Sequence, residues 1–440
     1  MLIAKRKNTM MNSNRNSKLL FPLLMEMAVI LCFLIDIPSN VQFTLSAALL
    51  CILLLLDVES SFYLLMFNLC VNELVSIGSV SIPIVFVALF SAKHFFSRKF
   101  KILIDIPMLV SLIILLLLGV LSTVLGIENQ LLTTVKQIFF FCYAAVLLAE
   151  VSGRKKAFFY NTFRFAACGI NFSCFAAVIL SRGRVLLNRM TISPEVTINA
   201  LGILCALCVV NLLYCMVVLK QTSVAADVML ILGCCVWGIL TQSRSFFLAV
   251  IIGVVLLILL TSSLKRKSAF LVGLLFCIVI FIIAALIHPP ILNRVLMAAE
   301  RILNPRNDDI TNGRTYIWRE TIRGMYEGGH IWLGLGDYRL LNTVYLKKTE
   351  MAHNMFLETW VVYGYIGCAV LLAAFYFFMK RHIFSNAFRK TAAVTYIPAI
   401  VFLSIFFFSH SFIGGMTSLV FMISWIPLTL GKTKREKRNL

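Results

Sequence analysis

The sequence predicts an all-α fold: a polytopic membrane helix bundle of about 14 spans, with twelve as the alternative count, and one helical loop outside the membrane. Three observations predict it. Of 440 residues, 60% are hydrophobic and only 13% charged, whereas soluble domains carry about 45–50% and about 25%. Apolar runs of roughly 18 residues or more recur along the chain, each long enough to cross a bilayer as a helix. Lysines and arginines gather in short clusters between those runs, as they do in cytoplasmic loops of membrane proteins. The alternating pattern of a membrane barrel is not present in the sequence.

The first run, 19–36, follows Lys5, Arg6, Lys7, Arg15 and Lys18. The stretch LCFLIDIPSN offers no small-x-small cleavage site, so this run reads as a retained span. Further spans are expected near 41–56, 61–77, 80–93, 104–125, 132–149, 157–180, 195–219, 226–242, 245–263, 269–288, 354–379, 393–410 and 413–430. The third and fourth are short, and one of them is a candidate re-entrant segment. Fourteen crossings put the basic N-terminus, SRKFK at 97–101, GRKK at 153–156, KRK at 265–267, KRH at 380–382 and KTKREKR at 432–438 on the cytoplasmic side, with both termini. Much of the net charge of +21 then lies on the rim that faces anionic lipid headgroups, so it gives no argument for nucleic acid. Three regions follow: an N-terminal transmembrane bundle over 1–288, an extracytoplasmic loop with an amphipathic helix over 289–352, and C-terminal transmembrane helices over 353–440.

The 13 cysteines all lie in apolar stretches, and Cys205-x-x-Cys208 has no partner pair. They read as small helix-packing residues. The sequence shows no clustered Asp/Glu or Cys/His ligand set, so neither a metal nor a cofactor is expected. Glu26, Glu73, Lys136 and Asp227 lie in or near spans and are candidates for interior roles.

Four stretches carry the chemistry. In TQSRSFF, 241–247, Arg244 interrupts two apolar runs at a tight outer turn, and Ser245 is positioned to cap the following helix. In TNGRTYIWRETIRGMYEGG, 311–329, a helix can start at Thr311 or Asn312 and stop at Gly328–Gly329. Arg314, Trp318, Thr321 and Met325 share one face of it; Arg319, Arg323 and Glu327 share another. Such a helix suits the membrane interface, with Trp318 and Tyr316 as anchors. In IWLGLGDY, 331–338, Gly334-x-Gly336 permits a tight turn or close approach of a ligand. In AHNMFLETWVVYGYIG, 352–367, His353 and Asn354 open the helix that re-enters the membrane. The positive end of that helix and the arginines nearby favour a neutral imidazole able to accept a proton. Arginine's planar fork suits phosphate, which gives the many arginines of the outer loops, Arg189 among them, a use as anion contacts.

TQSRSFF, NGRTYIWRETIRGM, LGLGDY and AHNMFLETWVVYGYIG, in this order over roughly 241–367, resemble the O-antigen ligase and polymerase superfamily of bacterial envelopes. The resemblance implies a GT-C-like bundle in the inner membrane. It implies an enzyme that transfers a glycan from undecaprenyl pyrophosphate to a sugar hydroxyl, without metal or nucleotide, at an active site facing the periplasm or exterior. By motif, Arg244 and Arg314 hold the pyrophosphate and His353 acts at the acceptor hydroxyl. Asn354, Trp318, Arg319, Arg323 and Arg189 are the further substrate contacts. The implied partners are the lipid-linked oligosaccharide donor, a glycan acceptor, membrane lipids and a chain-length regulator. The compact outer loop favours a polymerase, whose acceptor is another lipid-linked repeat unit, over a ligase, whose acceptor is lipid A core. A flippase or transporter is the reading of another class; its charges would gather near the bilayer midplane, whereas these gather at one face.

Overall fold

Apolar runs become helices at nearly every expected place. A computed structural model describes residues 19–35, 37–71, 76–77, 80–97, 105–127, 130–186, 190–192, 198–220, 223–261, 293, 300, 314–336, 352, 354–384, 393–406 and 416–430. In chain order the helices are α1 (Leu19–Leu34), α2 (Ser39–Leu55), α3 (Val58–Phe67), α4 (Ile82–Ser97), α5 (Ile106–Val124), α6 (Gln130–Glu150) and α7 (Lys155–Leu180). There follow α8 (Ile198–Tyr214), α9 (Val224–Thr241), α10 (Arg244–Leu260), α11 (Arg314–Glu327), α12 (Met355–Met379), α13 (Ile397–Phe406) and α14 (Met416–Ser424). Six of the described helices are long and apolar enough to cross a membrane, and seven further apolar helices are shorter. Together these lie on thirteen of the fourteen expected runs; the run at 269–288 lies outside the described residues.

The third run corrects the expectation. Among the described residues of this run the helix is Val58–Phe67, and Ser76–Ile77 pairs antiparallel with Val80–Ser81. Asp57 starts α3 by accepting from the Ser60 amide at 3.0 Å and the Ser60 hydroxyl at 2.6 Å. Ten residues rise only about 15 Å, too little to span hydrocarbon.

Packing follows the logic of helices in lipid. In α5, Ser111, Gly119 and Ser122 face inward with Leu112 and Leu115, while Leu109, Ile113, Leu117 and Leu121 are exposed. Small residues let backbones approach, and the large apolar side chains face what must be an apolar solvent. Helix α8, apolar all round, is enclosed by α7, α9, α10 and α13. Cys205, Cys208 and Cys234 bury their thiols against one another between α8 and α9, which is the packing role expected of them. Among the described residues no group of three or more His, Cys, Asp or Glu could hold a metal ion.

One end of the bundle is ionic. Arg154 pairs with Glu59 at 2.9 Å, Arg381 pairs with Asp105, and the Lys155 ammonium donates to the His382 carbonyl at 3.0 Å. Two basic clusters that the alternation of spans assigned to one side therefore meet in space. Asp227 is tied there too. It accepts from the Tyr160 hydroxyl at 2.8 Å and the Ser223 amide at 2.8 Å, and Arg164 lies 3.4 Å away. These bonds give Asp227 a structural role. Asp227→Ala is expected to cost about 2–3 kcal/mol, read as a lower melting temperature in detergent. Glu26 is fully buried in α1, and Glu73 lies outside the described residues.

Candidate functional site

The other end of the bundle carries the arginines. The turn between α9 and α10 is only two residues long. Gln242 closes it in the left-handed conformation, φ 53°, with its amide donating to the Ile239 carbonyl at 2.9 Å. This shifts the cap: Ser243, not Ser245, holds the N-cap position of α10, and Ser245 sits inside the first turn. The Ser243 side chain makes no capping bond; its hydroxyl reaches Asn199 Oδ1 at 3.4 Å and ties α10 to the start of α8. Gln242→Gly relieves a conformation that costs a non-glycine residue of order 1 kcal/mol. That variant is expected to melt no lower than wild type.

Arg244 is thereby the first residue of α10, and Arg314 is the first residue of α11. Both are half-buried. Burial pushes the Arg314 guanidinium below its usual pKa, and repulsion from Arg244 pushes it further the same way. Two cations seventy positions apart in sequence are thus close enough to feel each other in a partly desolvated place. Such a pair is costly unless an anion answers it, and a helix N-terminus adds further positive potential.

Helix α11 ends as expected. The Gly328 amide donates to Gly324 O and the His330 amide to Met325 O, with Gly329 at φ 72°. Its Ile317, Thr321, Gly324 and Met325 are buried, and Met325 packs on Trp360 and Val361 of α12 rather than on lipid. Arg319 and Arg323 lie on the exposed face, and Arg323 is 2.7 Å from Glu327. They do not converge with Arg314.

Trp318, one turn after Arg314, donates from its indole nitrogen to the Ala352 carbonyl at 2.7 Å. Asn354 caps α12: its side-chain oxygen accepts from the Phe356 and Leu357 amides at 3.0 and 3.1 Å. The chain is therefore held on both sides of position 353. His353 itself, like Arg189, lies outside the described residues. Asn354 is 4% exposed, and its oxygen is committed to the cap; Asn354→Ala is expected to cost about 1 kcal/mol in thermal unfolding.

Sequence reasoning missed how α12 is built. Gly364 has φ 63° and ψ −172° and breaks the helix. The segment 331–336 fills the break. Leu335 and Gly336 amides donate to the Val361 and Val362 carbonyls at 2.7 and 3.1 Å, while the Tyr365 and Ile366 amides donate to the Ile331 and Trp332 carbonyls at 2.8 and 3.2 Å. The glycine pair serves close approach of backbone to backbone, not of a ligand: a Cβ on Gly334 would stand 2.4 Å from Val362 O. Gln130, at the start of α6, fastens the same turn by donating to Leu333 O at 3.1 Å. Glu358, buried in the first turn of α12, was also missed; nothing in its spacing separates it from a surface acid.

Residues 228–372 match the family model described as O-antigen ligase, a segment that contains all four motif stretches. No curated protein matches the chain. Over that segment, about a third of the chain, the protein is similar to the O-antigen ligase family.

Proposed function

We propose that this chain is a polysaccharide polymerase of the bacterial inner membrane, acting on O-antigen, capsule or exopolysaccharide. It takes its donor glycan from undecaprenyl pyrophosphate and extends a lipid-linked repeat unit. The observation that carries this reading is the proximity of Arg244 and Arg314 at the end of the bundle where Trp318 grips the residue before His353. The family match supports a membrane glycosyltransferase acting on lipid-linked glycans.

In this mechanism the two guanidinium groups bind the diphosphate of the donor. The acceptor hydroxyl oxygen attacks the anomeric carbon. The bond from that carbon to the pyrophosphate oxygen breaks, and undecaprenyl pyrophosphate departs with the electron pair. His353 takes the hydroxyl proton and returns it to solvent. The leaving group needs no protonation; its growing charge is met by donors fixed in place beforehand. Positioning His353 as base adds about 10²–10⁴-fold. Asn354 and Trp318 act by holding the backbone around His353.

This reading puts the arginine end outside, the ionic end of Arg154 and Arg381 inside with both termini, and fourteen segments in a GT-C-like bundle. An alkaline phosphatase fusion after residue 336 should then be active, and a fluorescent protein fused after 384 should fold. A ligase shares all of this and differs in acceptor. Deleting the gene and resolving envelope glycan on a gel separates them. A single repeat left on the core is expected. Bare core with free lipid-linked chains would make the chain a ligase. Polymer formation by purified protein in detergent, where there are no two sides, is expected and is incompatible with simple transport.

A further inference from the structure

Helix α6 carries Gln130, Thr134 and Gln137 at i, i+4 and i+7, one face of the helix, and each is at most 1% exposed. That polar stripe descends about 10 Å into the bundle. It faces polar groups on α5 and α12. The Tyr363 and Thr134 hydroxyls approach each other without completing a hydrogen bond. Gly119 of α5 comes so close that a Cβ there would lie 3.3 Å from Thr134 Oγ1. Ser122 follows one turn outward on the same helix. Four buried atoms here, Gln130 Oε1, Thr134 Oγ1, Ser122 Oγ and Tyr363 OH, have no hydrogen-bond partner among the described residues. The stripe begins beside the 331–336 turn, whose Leu333 carbonyl Gln130 holds.

Buried hydroxyls and amides are normally satisfied, and a polar face at membrane depth marks a hydrated or ligand-filled space. Every group in this cluster is neutral. It is unsuited to diphosphate and suited to a sugar ring, which offers hydroxyls as both donors and acceptors. We propose that Gln130, Thr134, Tyr363 and Ser122 form a recess beneath the 331–336 turn that receives the hydroxyls of a glycan residue. This rests on the transferase reading and names a sugar subsite apart from the arginine pair.

The test uses the full chain purified in detergent. The probe is the reducing repeat-unit oligosaccharide released by mild acid from the envelope polysaccharide of the strain that carries the gene. It bears no pyrophosphate. Binding is followed by tryptophan fluorescence and checked by equilibrium dialysis. Wild type is expected to bind saturably, and Thr134→Val and Tyr363→Phe each to bind about fivefold or more weakly. Thr134→Ser should bind as wild type, which shows that the hydroxyl and not the fold is responsible. Arg314→Ala should also bind as wild type, since its role is on the phosphate side. Replacing an unpartnered hydroxyl by an apolar group of the same shape is near-neutral for stability, so all variants should melt as wild type. Equal affinity in Thr134→Val, Tyr363→Phe and wild type would make the recess a seat for structural water and overturn the inference. No saturable binding by wild type would overturn it as well. Transfer assayed on the same preparations separates the two ideas: intact transfer with hydroxyl-insensitive binding sinks the subsite alone. Absent transfer with the predicted binding pattern sinks the transferase and leaves a sugar site.

Discussion

Arg314→Ala and Arg244→Ala each abolish detectable polymer while the protein inserts and accumulates normally. The two residues begin different helices, sit half-buried, and repel each other, a repulsion that a bound diphosphate would offset. Each charge-assisted hydrogen bond to a phosphate contributes about 1.5–3 kcal/mol, and a bidentate arginine makes two. Loss of either side chain should therefore slow transfer by at least about 10²-fold. Arg244→Lys should fail nearly as badly, because lysine keeps the charge and loses the planar fork. If both arginines serve one diphosphate, the double variant loses far less than the product of the single losses. Inorganic pyrophosphate supplies a check that needs no glycan. It should raise the melting temperature of wild type and not that of either alanine variant. Wild-type chain length in the Arg314→Ala strain would remove that residue from the mechanism.

The helices were legible because hydropathy and helix length are local properties, and the described elements fall on the expected runs. The charge clusters at 153–156 and 380–382 were assigned to one side, and Lys155 meets the His382 carbonyl. The glycine stop of α11 and the two faces of that helix also follow from spacing alone. The misplacement of the α10 cap has a simple cause. Glutamine at position 242 gives no warning of a left-handed residue, so the cap was placed at Ser245, two positions past Ser243. The convergence of Arg244 and Arg314 could be read only through the order of motifs, since no local pattern joins α10 to α11. Least legible was the join between 331–336 and α12. It is made of main-chain bonds, which any side chains can accompany, and glycine in an apolar run announces close packing without naming the partner.

That join yields the second large effect. Gly364→Ala should reduce transfer by about 10²-fold or more, although position 364 touches no substrate in the proposed mechanism. At φ 63° and ψ −172° the backbone occupies a region essentially closed to residues with a Cβ. The new Cβ would lie 2.3 Å from both the carbonyl carbon and oxygen of Trp332, and 2.5 Å from the Leu333 nitrogen. These are main-chain atoms of a turn already fastened by four hydrogen bonds, so they cannot swing aside as a side chain end would. Helix α12 has an alternative. The Val361 and Val362 carbonyls can take back the Tyr365 and Ile366 amides as ordinary i to i−4 partners, which heals the helix and expels 331–336. The global cost of alanine is then modest, because the bonds are exchanged within α12, and the local cost falls on the turn. Residues 328–336 should become a site of limited proteolysis in the variant and remain protected in Arg314→Ala. Helix α11 leads directly into that turn through Gly328 and Gly329, so freeing the turn loosens Trp318 from Ala352 and Arg314 from its place beside Arg244. A Gly364→Ala protein with wild-type polymer and a protected turn would mean that the break in α12 does not position the arginine helix.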